Sequence, residues 1–250
     1  MTISDQVWFW ATVAVSPVIG SFIALVSIRL PDRRPIAMAR SACDHCGRML
    51  RPLELLPVIS FLALRGRCRT CGAPIPRGHL VVEGLSLLAA IWGGLAHPGP
   101  LAVITALFAW QLLLLAALDV RALWLPRILT IPLAVSGLLV SAARGEVLDA
   151  AIGVAAGFAA MALLAAAYRR LRGREGLGGG DAYLLGAVGA WVGWIGLPSV
   201  LLIASASGLA LAFAARLIGR PIGADQPLPF GAFLAFGAWI VWLYGPIGFY

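Results

Sequence analysis

Long apolar runs dominate this sequence and limit what it can fold into. A helix needs about 20 mainly apolar residues to cross a hydrocarbon core of about 30 Å. Runs that reach or approach this length cover roughly residues 7–28, 79–96, 101–118, 128–143, 148–168, 182–197, 198–218 and 230–249. With 61% hydrophobic and only 12% charged residues, the chain lies outside the range of water-soluble domains. We therefore predict an all-α polytopic membrane protein with about eight transmembrane helices.

The distribution of arginine predicts how these spans are oriented. All 19 basic residues are arginine, and the formal net charge is +8. With eight spans, every arginine except Arg144 falls in loops on one side, which the positive-inside rule makes the cytoplasmic side. This pattern favours a topology signal and attraction to anionic lipid head groups over nucleic-acid binding.

Residues 29–78 form a different kind of segment, rich in Arg, Pro and Cys, which predicts a small cytoplasmic insert. It contains two Cys-X-X-Cys pairs, made by Cys43, Cys46, Cys68 and Cys71. A glycine follows each pair, and the spacer of residues 47–67 is close to the zinc-ribbon range, so four thiolates can meet on one structural zinc ion. Disulfides are disfavoured in a reducing compartment. Free or redox-active thiols remain an alternative, and His45 is a further candidate ligand.

Two aspartates stand at the ends of apolar runs. Asp119 closes the run 101–118, and Asp181 follows the glycine loop of residues 176–180. In an eight-span topology both lie at the cytoplasmic border, at similar depth. Two adjacent carboxylates share one proton, so the ionised member can activate a water while the protonated member donates to a developing oxyanion. The alternatives are that each aspartate pairs with a nearby arginine, or that Asp181 only caps its helix.

Three smaller features leave their interpretation open. Glu83 lies about one turn inside the second span, where a carboxylate is either paired with an arginine or functional. Gly20 suits close helix packing in lipid. The apolar segment Leu53 to Leu64 is too short to span and contains Pro57, so it either packs on the zinc module or lies on the membrane surface.

Several motifs in one order carry a family resemblance over nearly the whole chain. They are Gly20-Ser21-Phe22, Arg29-Leu30-Pro31, the paired cysteine knuckles, Val82-Glu83, Asp119, Leu125-Pro126, Gly178-Gly179-Gly180-Asp181 and Pro229-Phe230-Gly231. In these motifs the chain resembles the bacterial prepilin peptidases, or type IV leader peptidases, which are membrane-embedded aspartic peptidases of the Gly-Xaa-Gly-Asp type.

The resemblance implies a function and a division of the chain. Asp119 and Asp181 would cleave the basic leader from type IV pilin-like or type II secretion pseudopilin precursors, with a substrate strand lying on Gly178, Gly179 and Gly180. In many relatives the new terminus is then methylated with S-adenosylmethionine, which implicates Gly20 and Glu83. Residues 1–28 would be the first span, 29–78 the zinc-binding and methyltransferase region, and 79–250 a seven-span peptidase core. The expected location is the bacterial inner membrane, and the expected partners are the precursors and membrane lipids, without nucleic acid.

The chain also departs from the family pattern. Relatives often carry Asn at the position of Ala24, Asp at that of Arg127 and Lys at that of Tyr183. The first departure weakens the inference of methylation, and the last removes a cation beside the second aspartate.

Two other classes of protein remain open from the sequence. A proton-coupled transporter would use Asp119, Asp181 and Glu83 as a relay, although it predicts acids at the bilayer midplane and related halves. A zinc-ribbon membrane scaffold without chemistry would leave the glycine loop unexplained.

Overall fold

The computed structural model describes residues 2–36, 42–43, 45–55, 57–173, 178–220, 223 and 226–248, and its regular structure there is helical. The helices are α1 (Ile3–Arg29), α2 (Ile59–Ala63), α3 (Arg77–Ala96), α4 (Leu101–Ala122), α5 (Arg127–Ala143), α6 (Val147–Arg172), α7 (Gly179–Leu217) and α8 (Phe230–Tyr244). By length and composition α1, α3, α4, α6 and α7 can each cross a membrane, and α5 and α8 are shorter apolar helices. The predicted all-α polytopic membrane fold is confirmed.

The chain divides into two compact units, residues 1–117 and 118–250. In the first unit α1 and α3 run antiparallel and pack through small residues. A methyl group on Gly20 would lie 2.8 Å from Cα of Glu83, and the hydroxyl of Ser86 donates a hydrogen bond to the carbonyl of Ser16 at 2.7 Å. The close packing predicted for Gly20 is therefore present, since a larger side chain would push the two helices apart.

The second unit is built around α7, whose first half packs against α6 and α5. Gly153 of α6 and Gly189 of α7 approach so closely that a methyl group on either would overlap the backbone of the other. On the α5 side, the indole N–H of Trp191 donates to the carbonyl of Leu133 at 2.8 Å. Small residues and an indole hydrogen bond therefore fix this half of α7.

Helix α7 is broken at Gly193, which has φ 67° and ψ 176°. Before the break α7 runs antiparallel to α6, and after it Val200 packs against Gly237 of α8 while Gly196 faces Val241. The starts of α7 and α8 line the same cavity, so both helices begin at the same end of the unit. The second half of α7 runs antiparallel to α8, back toward that end. The chain therefore reverses direction at Gly193.

This reversal corresponds to the predicted boundary between the sixth and seventh spans, although that boundary was placed between residues 197 and 198. With α7 counted as two segments, the described part of the chain contains eight apolar helical segments of ten residues or more, which agrees with the predicted number. A positive φ favours glycine, which explains why the break falls at Gly193.

The short apolar segment of the insert does not span. It contains a turn of 3-10 helix at Pro52–Leu55 and the short helix α2, while Leu56 lies outside the described residues. Leu53, Ile59 and Leu62 are largely exposed, whereas the ring of Phe61 packs against Gly66. One face of the segment thus packs on the insert, and the other presents apolar side chains outward.

Candidate active site

Asp119 and Asp181 line the same cavity, which has a volume of about 420 Å³. Asp119 lies near the end of α4 and Asp181 in the first turn of α7, and each side chain is buried, with about 5% exposed. The cavity is also lined by Leu123, Trp124, Leu125, Gly178, Gly179, Gly180, Pro227, Leu228 and Phe230. Gly176 and Leu177, the first two residues of the predicted glycine loop, lie outside the described residues. The structure thus brings together the two acids that the sequence predicted to meet.

The position of Asp119 is fixed from α8. The backbone N–H of Ala232, in the first turn of α8, donates to Oδ2 of Asp119 at 3.1 Å. A methyl group on Gly231 would lie 2.9 Å from the same oxygen and 2.6 Å from Cδ1 of Leu125. The first N–H groups of a helix lack partners within the helix and favour a negative group. The start of α8 therefore serves as a support for the Asp119 carboxylate.

The position of Asp181 depends on the glycines before it. Its carboxylate contacts the backbone of Gly178 and lies close enough to Asp119 for the two negative charges to repel each other. A methyl group on Gly180 would lie 2.6 Å from Cβ of Leu125, whereas one on Gly179 would meet nothing within 4 Å. Gly180 is thus needed for close packing, and Gly179 leaves open space.

The structure also bears on the alternatives for the two aspartates. Within the described part of the chain neither carboxylate forms an ion pair with an arginine. The contact between Asp181 and Gly178, the N-cap residue of α7, is compatible with a capping role for Asp181 as well as with a chemical one.

The four cysteines of the insert form one cluster. Their Sγ atoms all lie within 4.8 Å of one another, and those of Cys43 and Cys71 are 3.8 Å apart. Four sulfurs placed about 2.3 Å from a tetrahedral zinc ion are about 3.8 Å from one another. The cysteines are free thiols, and the cluster does not include His45. The donor set and its spacing therefore fit a structural zinc ion.

The two cysteine pairs have the same local geometry. The N–H of Gly47 donates to the carbonyl of Cys43 at 2.9 Å, and that of Gly72 to the carbonyl of Cys68 at 3.0 Å. Both glycines have positive φ, near 69° and 68°. The sequence pattern of two knuckles, each closed by a glycine, thus gives two equivalent turns.

The first cysteine of each knuckle is prepared to be a thiolate. Backbone N–H groups of Cys46 and His45 lower the pKa of the Cys43 thiol, and those of Cys71 and Thr70 lower the pKa of the Cys68 thiol to about 6. Because the thiolate is the form that binds metal, these hydrogen bonds favour metal binding near neutral pH.

A second cavity, of about 480 Å³, lies in the first unit beside the zinc module. Its lining includes Ser21, Arg29, His45, Arg48, His79 and Glu83. Glu83 is buried, and its Oε2 accepts a hydrogen bond from the backbone N–H of Val58 at 2.8 Å. Gly20 does not line this cavity but packs against Glu83 from α1. Within the described residues, Glu83 is thus held by a backbone donor of the insert and not by an arginine.

Comparison with known proteins assigns the family. Residues 14–96 match the model of the bacterial peptidase A24 N-terminal domain, and residues 106–213 match that of the type IV leader peptidase family. A Burkholderia pseudomallei prepilin leader peptidase/N-methyltransferase is 42% identical over 83% of this chain and 68% of its own. Proteins of the same name from Aeromonas hydrophila and Dickeya chrysanthemi are each 37% identical over 92% of this chain, and over 88% and 90% of their own. The chain belongs to the type IV leader peptidase family. No solved structure matched.

Family membership confirms the resemblance seen in the sequence and makes the protein a multi-pass inner-membrane member of the leader peptidase family. Nothing in these comparisons supports a transporter. The roles assigned to individual residues, and the predicted division at residues 28/29 and 78/79, stay predictions.

Sequence reasoning missed the groups that hold Asp119 and Glu83 in position in this leader peptidase. The donors from Ala232 and Val58 are backbone N–H groups, which carry no side-chain signal. The Pro229-Phe230-Gly231 motif was noted in the sequence, but it was not connected to the site where Gly231 contacts Asp119.

Proposed function

We propose that this protein cleaves the leader of type IV pilin-like or type II secretion pseudopilin precursors by a two-aspartate mechanism. The observation that carries the proposal is the meeting of two buried carboxylates, Asp119 and Asp181, in one cavity bordered by the glycines 178–180. The names of the relatives and the family model support the same reaction.

The chemistry follows from a pair of carboxylates that holds one proton. The ionised aspartate takes a proton from a water whose oxygen attacks the scissile carbonyl carbon, and the protonated aspartate donates to the carbonyl oxygen. The tetrahedral intermediate then collapses, the C–N bond breaks, and the aspartate that gained the water proton delivers it to the leaving amine. The other aspartate recovers its proton from the hydroxyl of the intermediate. No covalent intermediate or metal is required.

The cavity also suits an extended substrate. Gly179 faces open space, and neither Gly178 nor Gly179 has a side chain that would hold a peptide strand away from the backbone.

We place this cavity and the cysteine insert at the cytoplasmic side, because the arginines cluster in the loops on that side. A basic leader would then remain in the cytoplasm while the apolar segment of the precursor stays in the membrane. The partners of the protein are the precursors and the surrounding lipids, and nucleic acid is not among them.

Methylation of the new terminus is the second half of the proposal. A cavity of about 480 Å³ falls within the usual size of ligand sites and offers both apolar and charged side chains. We assign it to S-adenosylmethionine, which supplies an electrophilic methyl group on a sulfonium ion. Glu83 would hold an amine or hydroxyl of the cofactor, or accept a proton from the new terminal amine. Gly20 would act only through packing, since it supports Glu83 from α1.

The zinc ion in this proposal is structural. Coordination by Cys43, Cys46, Cys68 and Cys71 would tie together the two knuckles that form one wall of the cavity, which Cys43 and Cys68 line directly. Since structural zinc is coupled to the folding of a small module, metal loss would open the cavity wall without touching the aspartate pair.

One experiment tests both halves. Purified protein in detergent or nanodiscs is incubated with a pilin-like precursor and S-adenosylmethionine, and the products are measured by intact mass spectrometry. We expect loss of the leader and an increment of one methyl group on the mature product. An uncleaved precursor would overturn the peptidase, and a cleaved but unmodified product would make this chain a peptidase only.

A further inference from the structure

Arg127 and Tyr183, two of the positions at which this chain departs from the family pattern, are partners in one contact. The guanidinium carbon of Arg127 lies 4.3 Å from the centroid of the Tyr183 ring. This distance is typical of a cation–π interaction. Arg127 is the first residue of α5, and Tyr183 lies in the first turns of α7.

Tyr183 lies on the side of α7 opposite to Asp181. Residues two positions apart on an α-helix are separated by about 200° around its axis. Asp181 therefore faces the cavity that it shares with Asp119, while Tyr183 faces away, toward α5 and α6. On that side its ring also packs against Phe158 of α6, with the centroids 5.1 Å apart.

The first turn of α7 packs against Leu125 through Gly180, but it carries no large side chain of its own. The residues before Asp181 are glycines, and Ala182 follows, so Tyr183 is the first large side chain of the helix. A rotation of this first turn about the helix axis would carry the Asp181 carboxylate along the cavity wall. A contact that holds Tyr183 from the opposite side resists such a rotation.

Arg127 is suited to this contact. A cation at a helix N-terminus faces the positive end of the helix dipole, and within the described residues no ion pair joins Arg127 to a carboxylate. The ring face of Tyr183 supplies the negative potential that the helix end lacks. Arg127 also lies two residues after Leu125, whose side chain contacts both Gly180 and Gly231.

We propose that the Arg127–Tyr183 contact is a positioning device that sets the orientation of the first turns of α7 and thereby of Asp181. Its catalytic consequence rests on the proposed peptidase activity, whereas its effect on α7 does not. A misplacement of a reacting group by about 1 Å can cost about 10²-fold in rate, so loss of the contact lowers kcat and leaves KM for the precursor nearly unchanged.

The test uses the full-length protein and two readouts. Hydrogen exchange measured by mass spectrometry reports on the amides of residues 182–188, and cleavage of a pilin-like precursor gives kcat and KM. We compare Arg127→Gln, Tyr183→Leu, the double variant, and Tyr183→Phe, which keeps the ring face. Arg121→Gln is the matched control, because Arg121 is an exposed arginine just after Asp119 with no ring contact in the described structure.

Arg127→Gln and Tyr183→Leu are each expected to speed exchange of these amides and to lower kcat by 10- to 100-fold. The kcat of the double variant should be no lower than that of the slower single variant. Tyr183→Phe and Arg121→Gln should match the parent in both exchange and kcat. The proposal would be overturned if neither single variant changed the exchange rate of these amides. It would also be overturned if Arg121→Gln sped their exchange as much as Arg127→Gln does. If the parent protein cleaves nothing, the proposed function fails, and the exchange data still decide whether the contact holds α7.

Discussion

The backbone N–H of Ala232 donates a hydrogen bond to Oδ2 of Asp119 at 3.1 Å, which joins the end of α4 to the first turn of α8. The two residues are far apart in sequence, and the contact is possible because Gly231 beside Ala232 has no side chain. The approach of α8 therefore decides where the Asp119 carboxylate points.

Gly231→Ala tests this relationship. The added methyl group would lie 2.9 Å from Oδ2 of Asp119 and 2.6 Å from Cδ1 of Leu125, so the carboxylate or α8 must shift. We expect cleavage to fall by roughly 10- to 100-fold, because small displacements of catalytic groups are costly. Gly208→Ala on α7 is the control, since its methyl group would meet Phe233 at an ordinary 3.5 Å. Equal activity in Gly231→Ala and in the parent, measured by precursor cleavage, would contradict this role.

The two aspartates themselves give the most direct prediction for the reaction. Asp119→Asn and Asp181→Asn each keep the size of the side chain but remove its ability to exchange a proton as an acid or base. Loss of either partner should lower cleavage by 10² to 10⁴-fold, about 3 to 5 kcal/mol in activation free energy. Gel filtration and thermal unfolding in detergent should show that both variants remain folded. Turnover near that of the parent in either variant would rule out the two-aspartate mechanism.

Zinc content tests the insert. We expect one zinc ion per chain by elemental analysis of the purified protein, and loss of that zinc in Cys43→Ser and Cys71→Ser, whose Sγ atoms are 3.8 Å apart in the parent. Without the ion the two knuckles lose their link, so limited proteolysis should cut within residues 43–71. A metal-free parent with a protease-resistant insert would show that the cysteines stabilise the insert in another way.

The meeting of Asp119 and Asp181 could be predicted from sequence because it depends on topology. An acid at the end of an odd-numbered span and an acid at the start of an even-numbered span lie at the same border, whatever the details of packing. The cysteine cluster was predictable for a similar reason, since short spacings within each knuckle fix the local turn. Both predictions use periodicity and spacing, which a sequence contains directly.

The parts that were not predicted depend on backbone groups and on contacts between distant residues. Glu83 was expected either to pair with an arginine or to be functional, and the structure gives it the N–H of Val58. Any non-proline residue offers such a donor, so composition did not point to this one. The break in α7 was placed too late because the apolar run continues through Gly193, and the reversal depends on the packing of its two halves against α6 and α8.

Gly193→Ala should therefore destabilise the second unit. An alanine at φ 67° and ψ 176° lies in a backbone region that is essentially reserved for glycine and is strained by roughly 1 to 3 kcal/mol. Its methyl group would also overlap the carboxylate of Asp149 on α6. We expect a lower midpoint of thermal unfolding and less folded protein. Gly245→Ala separates the two causes, since Gly245 has nearly the same backbone conformation, φ 80° and ψ 175°, but open space around it. If both variants lose the same stability, contact with Asp149 contributes nothing.

Glu83→Gln separates the two activities proposed for the protein. The amide oxygen of glutamine can still accept the hydrogen bond from the N–H of Val58, so the insert should keep its position while the negative charge is lost. Methylation should then fall by at least 10-fold, because the charge that would hold the cofactor or accept the proton is missing. Cleavage should be unchanged, since Asp119 and Asp181 line a different cavity.

Glu83→Ala provides the comparison that identifies the cause. It removes both the charge and the acceptor for Val58, so it should lower methylation and also make the insert more sensitive to protease. Cleaved and methylated products are measured in the same sample by mass spectrometry, with zinc content as a check on the insert. If Glu83→Gln lowers cleavage, methylation and thermal stability together, Glu83 is a structural residue that holds the insert through Val58. If Glu83→Gln methylates as well as the parent, its charge has no part in methyl transfer.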